Sequence, residues 1–333
     1  MDNSRYDRQS VFSKIGADGQ LTLSRSRVVV IGVGALGTVI ASELARAGVG
    51  FLRLIDRDYA ELTNLQRQTL FDEADAAQGA PKALAAAEHL KKINSGIEIE
   101  PVVADFNVTN AEKLIRDVDL VLDGSDNAAA RYLINDACRK LGKPWVYGGA
   151  IGSTGAVMSF LPDGACFRCL FPAAQNSGES CATVGVLNSL TAIAASMQVT
   201  DALKILLKSP ALDRRYREFD IWNNSIDAIE VAQNPDCPCC AEGRFEFLNA
   251  PFTNNSVSLC GRDAYQVAGN GAVDLDALAE KLRAVGTVRH GEYTLVFEGA
   301  AANFTLFPDG RAIIKNVKSA QSALSLYSEY IGA

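Results

Sequence analysis

Short apolar runs alternate with longer amphipathic stretches through the first half of the chain. Residues 27–31 (R-V-V-V-I) are almost wholly apolar, the pattern of a strand buried on both faces. Residues 36–47 follow as a helix with Gly48 near its end, and residues 51–55 form the next strand, ending at Asp56. Together they predict a βαβ unit. Residues 75–94 are rich in Ala and Lys and mostly helical, with Pro81 suited to a first turn. Residues 97–103 alternate, and 111–117 are helical. Residues 119–123 (D-L-V-L-D) predict another buried strand, with the loop 124–127 at its C-terminal end and a helix over 129–141. Strands are expected at 145–149, 156–161 and 217–222, a polar loop at 172–180, and a long, largely apolar and buried helix over 184–208.

After Cys240 the pattern changes. Short alternating strands at 256–259, 293–297, 303–307 and 312–315 accompany two helices, at 275–285 and 319–331. The fold class expected is α/β: a Rossmann-like, mostly parallel sheet with helices on both faces, over residues 1–244. A small α+β domain would occupy 245–333.

Composition narrows the function. A net charge of −7 argues against a nucleic-acid partner, whose backbone is held by clustered cations. The two histidines, His89 and His290, lie outside any motif, which disfavours His-dependent triads and metal sites. The charged N-terminus and the lack of a long apolar run predict a cytoplasmic protein with no membrane partner. In that compartment eight cysteines are a poor disulfide framework.

The chemistry starts at Gly32-Val33-Gly34-Ala35-Leu36-Gly37, between a strand and a helix, where backbone N–H groups meet an anion. Asp56 is spaced to hold a ribose. Alone, this pair equally suits NAD or FAD. The segment Thr63-Asn64-Leu65-Gln66-Arg67-Gln68 adds a cation that could grip phosphate, or be an exposed polar loop. Lys82 offers a second positive charge, or is a solvated helix residue. Asp126, just past a parallel strand, could hold Mg²⁺ or cap the next helix. Asp58, Gln68 and Asn127 join the candidate nucleotide-binding set.

Cys166-Phe-Arg-Cys169 and Cys237-Pro-Cys-Cys240 form two C-x-x-C pairs, a structural Zn²⁺ knuckle by spacing. Cys239 leaves the second pair ambiguous by one residue. Cys181, near a helix start, could accept an acyl group or sulfur, or be inert like Cys138 and Cys260.

In order along residues 5–240 stand R-Y-D-R-Q (5–9), G-V-G-A-L-G (32–37), D-R-D…T-N-L-Q-R-Q (56–68), P-K-A (81–83), D-G-S-D-N (123–127), C-A-T-V-G-V (181–186) and both C-x-x-C pairs. This set resembles the ThiF/MoeB adenylyltransferases, bacterial relatives of ubiquitin-activating enzymes. The resemblance implies ATP over the glycine turn with its ribose on Asp56. Asn64, Arg67 and Lys82 would hold phosphates, Asp126 would bind Mg²⁺, and Arg8 would reach over from the partner subunit of a homodimer. It implies that the four paired cysteines bind Zn²⁺. Cys181 matches the family cysteine that can join the activated carrier or its sulfur. The reaction implied is adenylation of the C-terminal glycine of a small ubiquitin-like sulfur carrier, in thiamine or molybdopterin synthesis. A sulfurtransferase or cysteine desulfurase would be a further partner. Departures are Ala35, where members often have a third glycine, and Gly-Ala-Pro-Lys for Gly-Lys-Pro-Lys. The alternatives are an NAD- or FAD-dependent oxidoreductase, or the same chemistry on a peptide.

Overall fold

A computed structural model of the protein describes residues 3–172, 184–251, 257–258, 264–267, 269, 271–291 and 294–332. The chain forms two compact units: Met1–Glu73 with Pro81–Pro251, and Ala74–Ala80 with Phe252–Ala333. The composition change after Cys240 placed the boundary at 244/245. Residues 245–251 nevertheless stay with the first unit, because Phe245, Phe247 and Leu248 pack against its core. Ala74–Ala80, expected in the first domain, belongs to the second unit.

The first unit is built on β1 (Arg27–Ile31), β2 (Phe51–Asp56), β3 (Glu98–Val103), β4 (Leu120–Asp123), β5 (Trp145–Ile151), β6 (Thr154–Phe160), β7 (Tyr216–Asp220) and β8 (Ser225–Ile229). They form one sheet in the order β3-β2-β1-β4-β5-β6-β7-β8. Pairs from β3 to β5 are parallel and pairs from β5 to β8 antiparallel. Val28, Val29, Val30, Leu52, Leu54, Leu120, Val121 and Leu122 are fully buried, so the apolar runs are central strands covered on both faces. Helices flank the sheet: Asn188–Leu206 packs on Ala35–Ala47 and on β5 and β6, while Ala111–Ile115 packs on Ala128–Leu141. The strand order reverses between β1 and β4, which opens a crevice at their C-terminal ends.

Several elements differ from the pattern-based expectation. The helical stretch 75–94 breaks into Glu73–Gln78 and Lys82–Ile93. Gly79 separates them with φ of 60°, a left-handed turn that ends a helix. Pro81 stands at the N-cap of the second helix. The helix Asn188–Leu206 is buried on one face, which carries Thr191, Gln198 and Asp201 inward among small apolar residues. Strand β8 escapes the pattern because all five of its residues are exposed, so no alternation marks it.

The second unit contains β9 (Val257–Ser258), β10 (Ala264–Val267), β11 (Thr287–His290), β12 (Leu295–Glu298), β13 (Asn303–Leu306) and β14 (Ala312–Lys315). Their order is β11-β12-β13-β14-β10-β9, all antiparallel. Leu295, Phe297, Phe304, Leu306 and Ile314 make one core with Leu282, Ala323 and Tyr327 of helices Leu275–Leu282 and Ala320–Tyr330. This is the α+β architecture its alternating strands indicated.

Candidate functional site

The floor of the crevice is main chain. A Cβ on Gly37 would lie 1.9 Å from Gly32 O, one on Gly32 would lie 2.7 Å from Gly124 O, and one on Gly124 would lie 2.3 Å from Gly32 O. These three glycines let the turn after β1 and the loop after β4 touch backbone to backbone. Gly34 differs: a Cβ there meets only Gln68 Nε2, at 3.9 Å. Its side faces open space. Gly34 also precedes the helix Ala35–Ala47 without a side-chain cap, so first-turn N–H groups can receive an anion. Ala35 begins that helix, and its side chain leaves those N–H groups in place.

Asp56 ends β2 and is clamped by two backbone donors. Val33 N–H reaches Oδ2 at 2.7 Å and Asp58 N–H reaches Oδ1 at 2.7 Å. Burial pushes the Asp56 carboxyl up, and the charge of Lys82 pulls it back. Each oxygen keeps acceptor capacity for a ribose hydroxyl. Lys82 is 5% exposed, and its Nζ lies 3.4 Å from Asp58 Oδ2. Its backbone N–H also donates to Asp58 O at 2.9 Å. Arg57 is tied to Asp105 at 2.9 Å and lies 3.9 Å from Asp58. Asp58 thus gathers Lys82 and Arg57 beside the ribose-type carboxylate.

The segment 61–68 is ordered by its own polar groups. Glu61 and Asn64 form a reciprocal capping box around the turn Leu62–Asn64, with Glu61 N–H donating to Asn64 Oδ1 at 3.2 Å. Arg67 is half-buried, and one guanidinium N–H donates to Thr63 O at 3.1 Å. Gln68 is 4% exposed, and its buried Oε1 has no hydrogen-bond partner among the described residues. An orphaned buried acceptor costs about 1–3 kcal/mol, which a ligand donor would recover. The Gln68 atom nearest the open side of Gly34 is the amide nitrogen Nε2, a donor, and not the orphaned Oε1.

At the end of β4, Asn127 Oδ1 accepts Ala130 N–H at 2.8 Å and caps the helix Ala128–Leu141. The cap that spacing allowed Asp126 to make is made by its neighbour, and Asp126 stays exposed at the crevice edge. The loop rests on a buried network that the sequence reading missed. Arg131 Nε donates to Asp123 Oδ2 at 3.0 Å, and its Nη2 reaches Ser125 O and Gly148 O at 3.0 and 3.1 Å. Burial pushes the Asp123 carboxyl up, opposed by Arg131 and by Ser125. Gln198 Nε2 donates to Asp123 O at 2.8 Å from the long helix. The only signal in the sequence was Arg131 one turn inside the helix that follows D-G-S-D-N.

Away from the crevice, the sulfurs of Cys166, Cys169, Cys237 and Cys240 lie within 4.8 Å of one another. Neighbouring Sγ atoms are 3.4, 3.6 and 4.0 Å apart. A tetrahedron with 2.3 Å metal–sulfur bonds has edges of about 3.8 Å, so the group can hold a metal ion. Burial pushes Cys240 up to about 11, and the contact with Cys166 pushes Cys169 up to about 12. A dication would reverse both by favouring thiolates. Cys239 is outside the group; its Sγ accepts Asn135 Nδ2 at 3.2 Å.

Arg8 is exposed in the turn Asp7–Ser10. The neighbouring Gln9 donates to Ala47 O at 2.8 Å, at the opposite end of the helix Ala35–Ala47 from the glycine turn. Thirteen helical residues span about 20 Å, so Arg8 is not beside its own chain's crevice. Cys181 and Cys260 lie outside the described residues.

A glycine-floored switch point with a clamped carboxylate and flanking cations defines a nucleotide-binding protein of the doubly wound α/β class. Residues 6–239 match the ThiF family, and the chain belongs to that family. It is 38% identical over 334 aligned residues to the sulfur carrier protein ThiS adenylyltransferase of Bacillus subtilis, covering 98% of this chain and 99% of that protein. It is 40% identical to the SAMP-activating enzyme E1 of Haloferax volcanii, over 72% of this chain and 89% of that one. Among solved structures, E. coli MccB with ATP aligns with a TM-score of 0.63 and 25% identity, covering 72% of this chain and 75% of MccB. Among the described residues no helix is long and apolar enough to cross a membrane.

Proposed function

We propose that the protein is an ATP-dependent adenylyltransferase that activates the C-terminal glycine carboxylate of a small ubiquitin-like sulfur carrier. The observation carrying this reading is the Asp56 carboxylate held by an N–H of the glycine turn, with Lys82 paired to the neighbouring Asp58, in a chain that matches an adenylyltransferase along almost its whole length. A carboxylate oxygen of the carrier attacks the α-phosphorus of ATP. The bond from that phosphorus to the bridging oxygen breaks, and pyrophosphate leaves with the electron pair. The products are an acyl adenylate and pyrophosphate.

No protein base is needed, because the nucleophile is already ionised. The residues act by position and charge. Asp56 takes the ribose, the Gly34–Gly37 turn takes phosphate, and Asn64, Arg67, Gln68 and Lys82 surround the leaving pyrophosphate. Asn64 contributes mainly by shaping the turn. Asp126 would hold Mg²⁺, which when bound neutralises triphosphate charge. Asn127 secures the helix behind it. The four thiols would hold a structural Zn²⁺ as thiolates. Arg8, exposed at the far end of the unit, would complete the phosphate site of a second copy in a homodimer. Cys181 would serve a later sulfur or acyl transfer, and a sulfurtransferase or cysteine desulfurase would supply the sulfur.

An NAD- or FAD-dependent oxidoreductase would leave Arg67 and Lys82 without a task. Thermal stabilisation by ATP and not by NAD separates the two. The deciding measurement is mass spectrometry of candidate thiamine-type and molybdopterin-type carriers, and of free peptides, after incubation with ATP and Mg²⁺. An adenylate on a Gly-Gly-ending carrier supports the reading and identifies the pathway. No adenylate on any carrier, with no carrier-dependent pyrophosphate exchange, overturns it. Cys181→Ala should spare the adenylate and impair only thiocarboxylate formation.

A further inference from the structure

Strands β4 and β5 separate where the crevice begins. They pair over two positions only, Val121 with Trp145 and Leu122 with Val146. β5 continues to Ile151, and beyond Val146 its strand partner among the described residues is β6. β4 ends at Asp123 and turns into the loop 124–127. Two side chains take carbonyls from both edges of the opening. Gln198 Nε2 donates to Asp123 O at 2.8 Å and to Val146 O at 3.3 Å. Arg131 Nη2 donates to Ser125 O at 3.0 Å and to Gly148 O at 3.1 Å. Each is a cross-link between the end of β4 and β5.

The backbone is shaped to admit them. A Cβ on Gly148 would lie 2.3 Å from Gln198 Oε1, so the amide enters only over a glycine. Gln198 is fully buried, and its Oε1 has no hydrogen-bond partner among the described residues. A buried amide that leaves its acceptor orphaned is held in place by its donor half. Arg131 is mostly buried and its charge is met locally, Nε donating to Asp123 Oδ2 at 3.0 Å. The other oxygen of Asp123 takes Ser125 N–H at 2.9 Å and the Ser125 hydroxyl at 2.6 Å. Ser125 is thus fixed by its amide, its hydroxyl and its carbonyl. Asn127, two positions on, is fixed by its cap on Ala130 N–H. Asp126 stands between them with its side chain exposed. One exposed carboxylate at the crevice edge is the protein share that Mg²⁺ takes when phosphates and water supply the rest.

We propose that Arg131, assisted by Gln198, is the positioning residue that sets the Asp126 carboxylate for metal-bound ATP. This rests on the reading that Asp126 holds Mg²⁺. Arg131 touches no reacting atom; it acts through Ser125, whose carbonyl it ties to β5. Its rigid planar fork joins a carboxylate to two carbonyls at once, which the point charge of a lysine on its flexible stem does not reproduce. All of these groups belong to the first unit. A consequence is that a change at Arg131 weakens ATP binding only when the metal is present.

The test measures the affinity of the full-length chain for ATP by calorimetry, with and without Mn²⁺ as the probe for the Mg²⁺ site, since Mn²⁺ takes the same oxygen ligands. The ratio of the two affinities reports the metal alone, without turnover. Asp126→Ala should remove most of that ratio. Arg131→Lys keeps a cation opposite Asp123 and should lower the affinity for ATP with Mn²⁺ about tenfold, the equivalent of one charge-assisted hydrogen bond. Its affinity for metal-free ATP should stay within about a factor of two, well under that tenfold. Gln198→Met keeps the length, removes the donor, and should give a smaller loss in the same ratio. If Arg131→Lys fails to fold, Gln198→Met carries the test. A ratio unchanged in Asp126→Ala overturns the Mg²⁺ reading itself. A ratio lost in Asp126→Ala but kept in Arg131→Lys, or in Gln198→Met where that variant carries the test, overturns the positioning role alone. Equal weakening with and without Mn²⁺ means a merely structural contact and also overturns it.

Discussion

The cysteine cluster and the nucleotide crevice solve the problem of holding charge in opposite ways. The four sulfurs already stand at tetrahedral spacing, mostly buried, on two chain segments that core packing brings together. The crevice is spread over the segments that follow β1, β2 and β4, and several of its charged groups stay partly exposed. A structural ion must never leave, so its ligands can be buried and closed. A substrate must enter and its pyrophosphate must leave, so the groups that meet it are held from behind. Asp56 is held by two amides, Lys82 by Asp58, and the Asp126 loop by Arg131.

The largest expected effect breaks catalysis without touching the metal. Asp126→Ala and Arg67→Ala should each lower pyrophosphate exchange roughly 100- to 1000-fold, while metal content by mass spectrometry stays at wild-type level. Metal loss in either variant would show that the two regions are not independent. Next, Cys166→Ser should abolish the metal binding proposed for the four thiols and cost more than about 3 kcal/mol of stability in urea unfolding. Cys239→Ala sharpens the contrast. It should keep the metal and lose only about 1–3 kcal/mol, because Asn135 Nδ2 loses Cys239 Sγ and keeps only the longer contact with Asp136 Oδ1 at 3.5 Å. A Cys239 variant that loses metal would instead place residue 239 among the ligands.

The smallest effect calibrates both, from the pair of buried Arg53 and exposed Asp117, outside either region. The Arg53 hydrogen bond lowers Asp117 to about 2. A carboxyl lowered on folding contributes stability above its ordinary range and loses it as pH falls toward about 2. Asp117 is 48% exposed, so the contribution is under about 1 kcal/mol. Asp117→Asn should flatten the acid limb of the stability curve by that much. A larger change would mean that solvent screens this pair less than its exposure implies.

How much was legible in the sequence follows the same division. Apolar runs announced β1, β2 and β4 because central parallel strands are buried on both faces, and the paired cysteines announced the cluster because spacing alone brings two ligands together. The glycine turn, Asp56 and Lys82 were legible as types, and their partners were not. Nothing in the order of residues says that Asp58 joins Lys82, or that Gln198 reaches Asp123 from 75 positions away. Arg131 looked like an ordinary helix residue because its three acceptors lie on β4, β5 and a loop. Strand β8 was hidden by its exposure, and the exchange of Ala74–Ala80 by the likeness of its alanines to the helix that follows.

The backbone contact of Gly32, Gly37 and Gly124 has a consequence for protection against solvent. Gly32 N–H is bonded to Ile55 O and Gly124 N–H to Ile31 O, each at 2.8 Å. These amides continue the β1–β2 and β1–β4 pairings at their C-terminal ends, so their deuterium uptake reports sheet opening rather than loop motion. In an exchange experiment the floor of the crevice should label with the slowest strands, while the rim at Asp126 labels early.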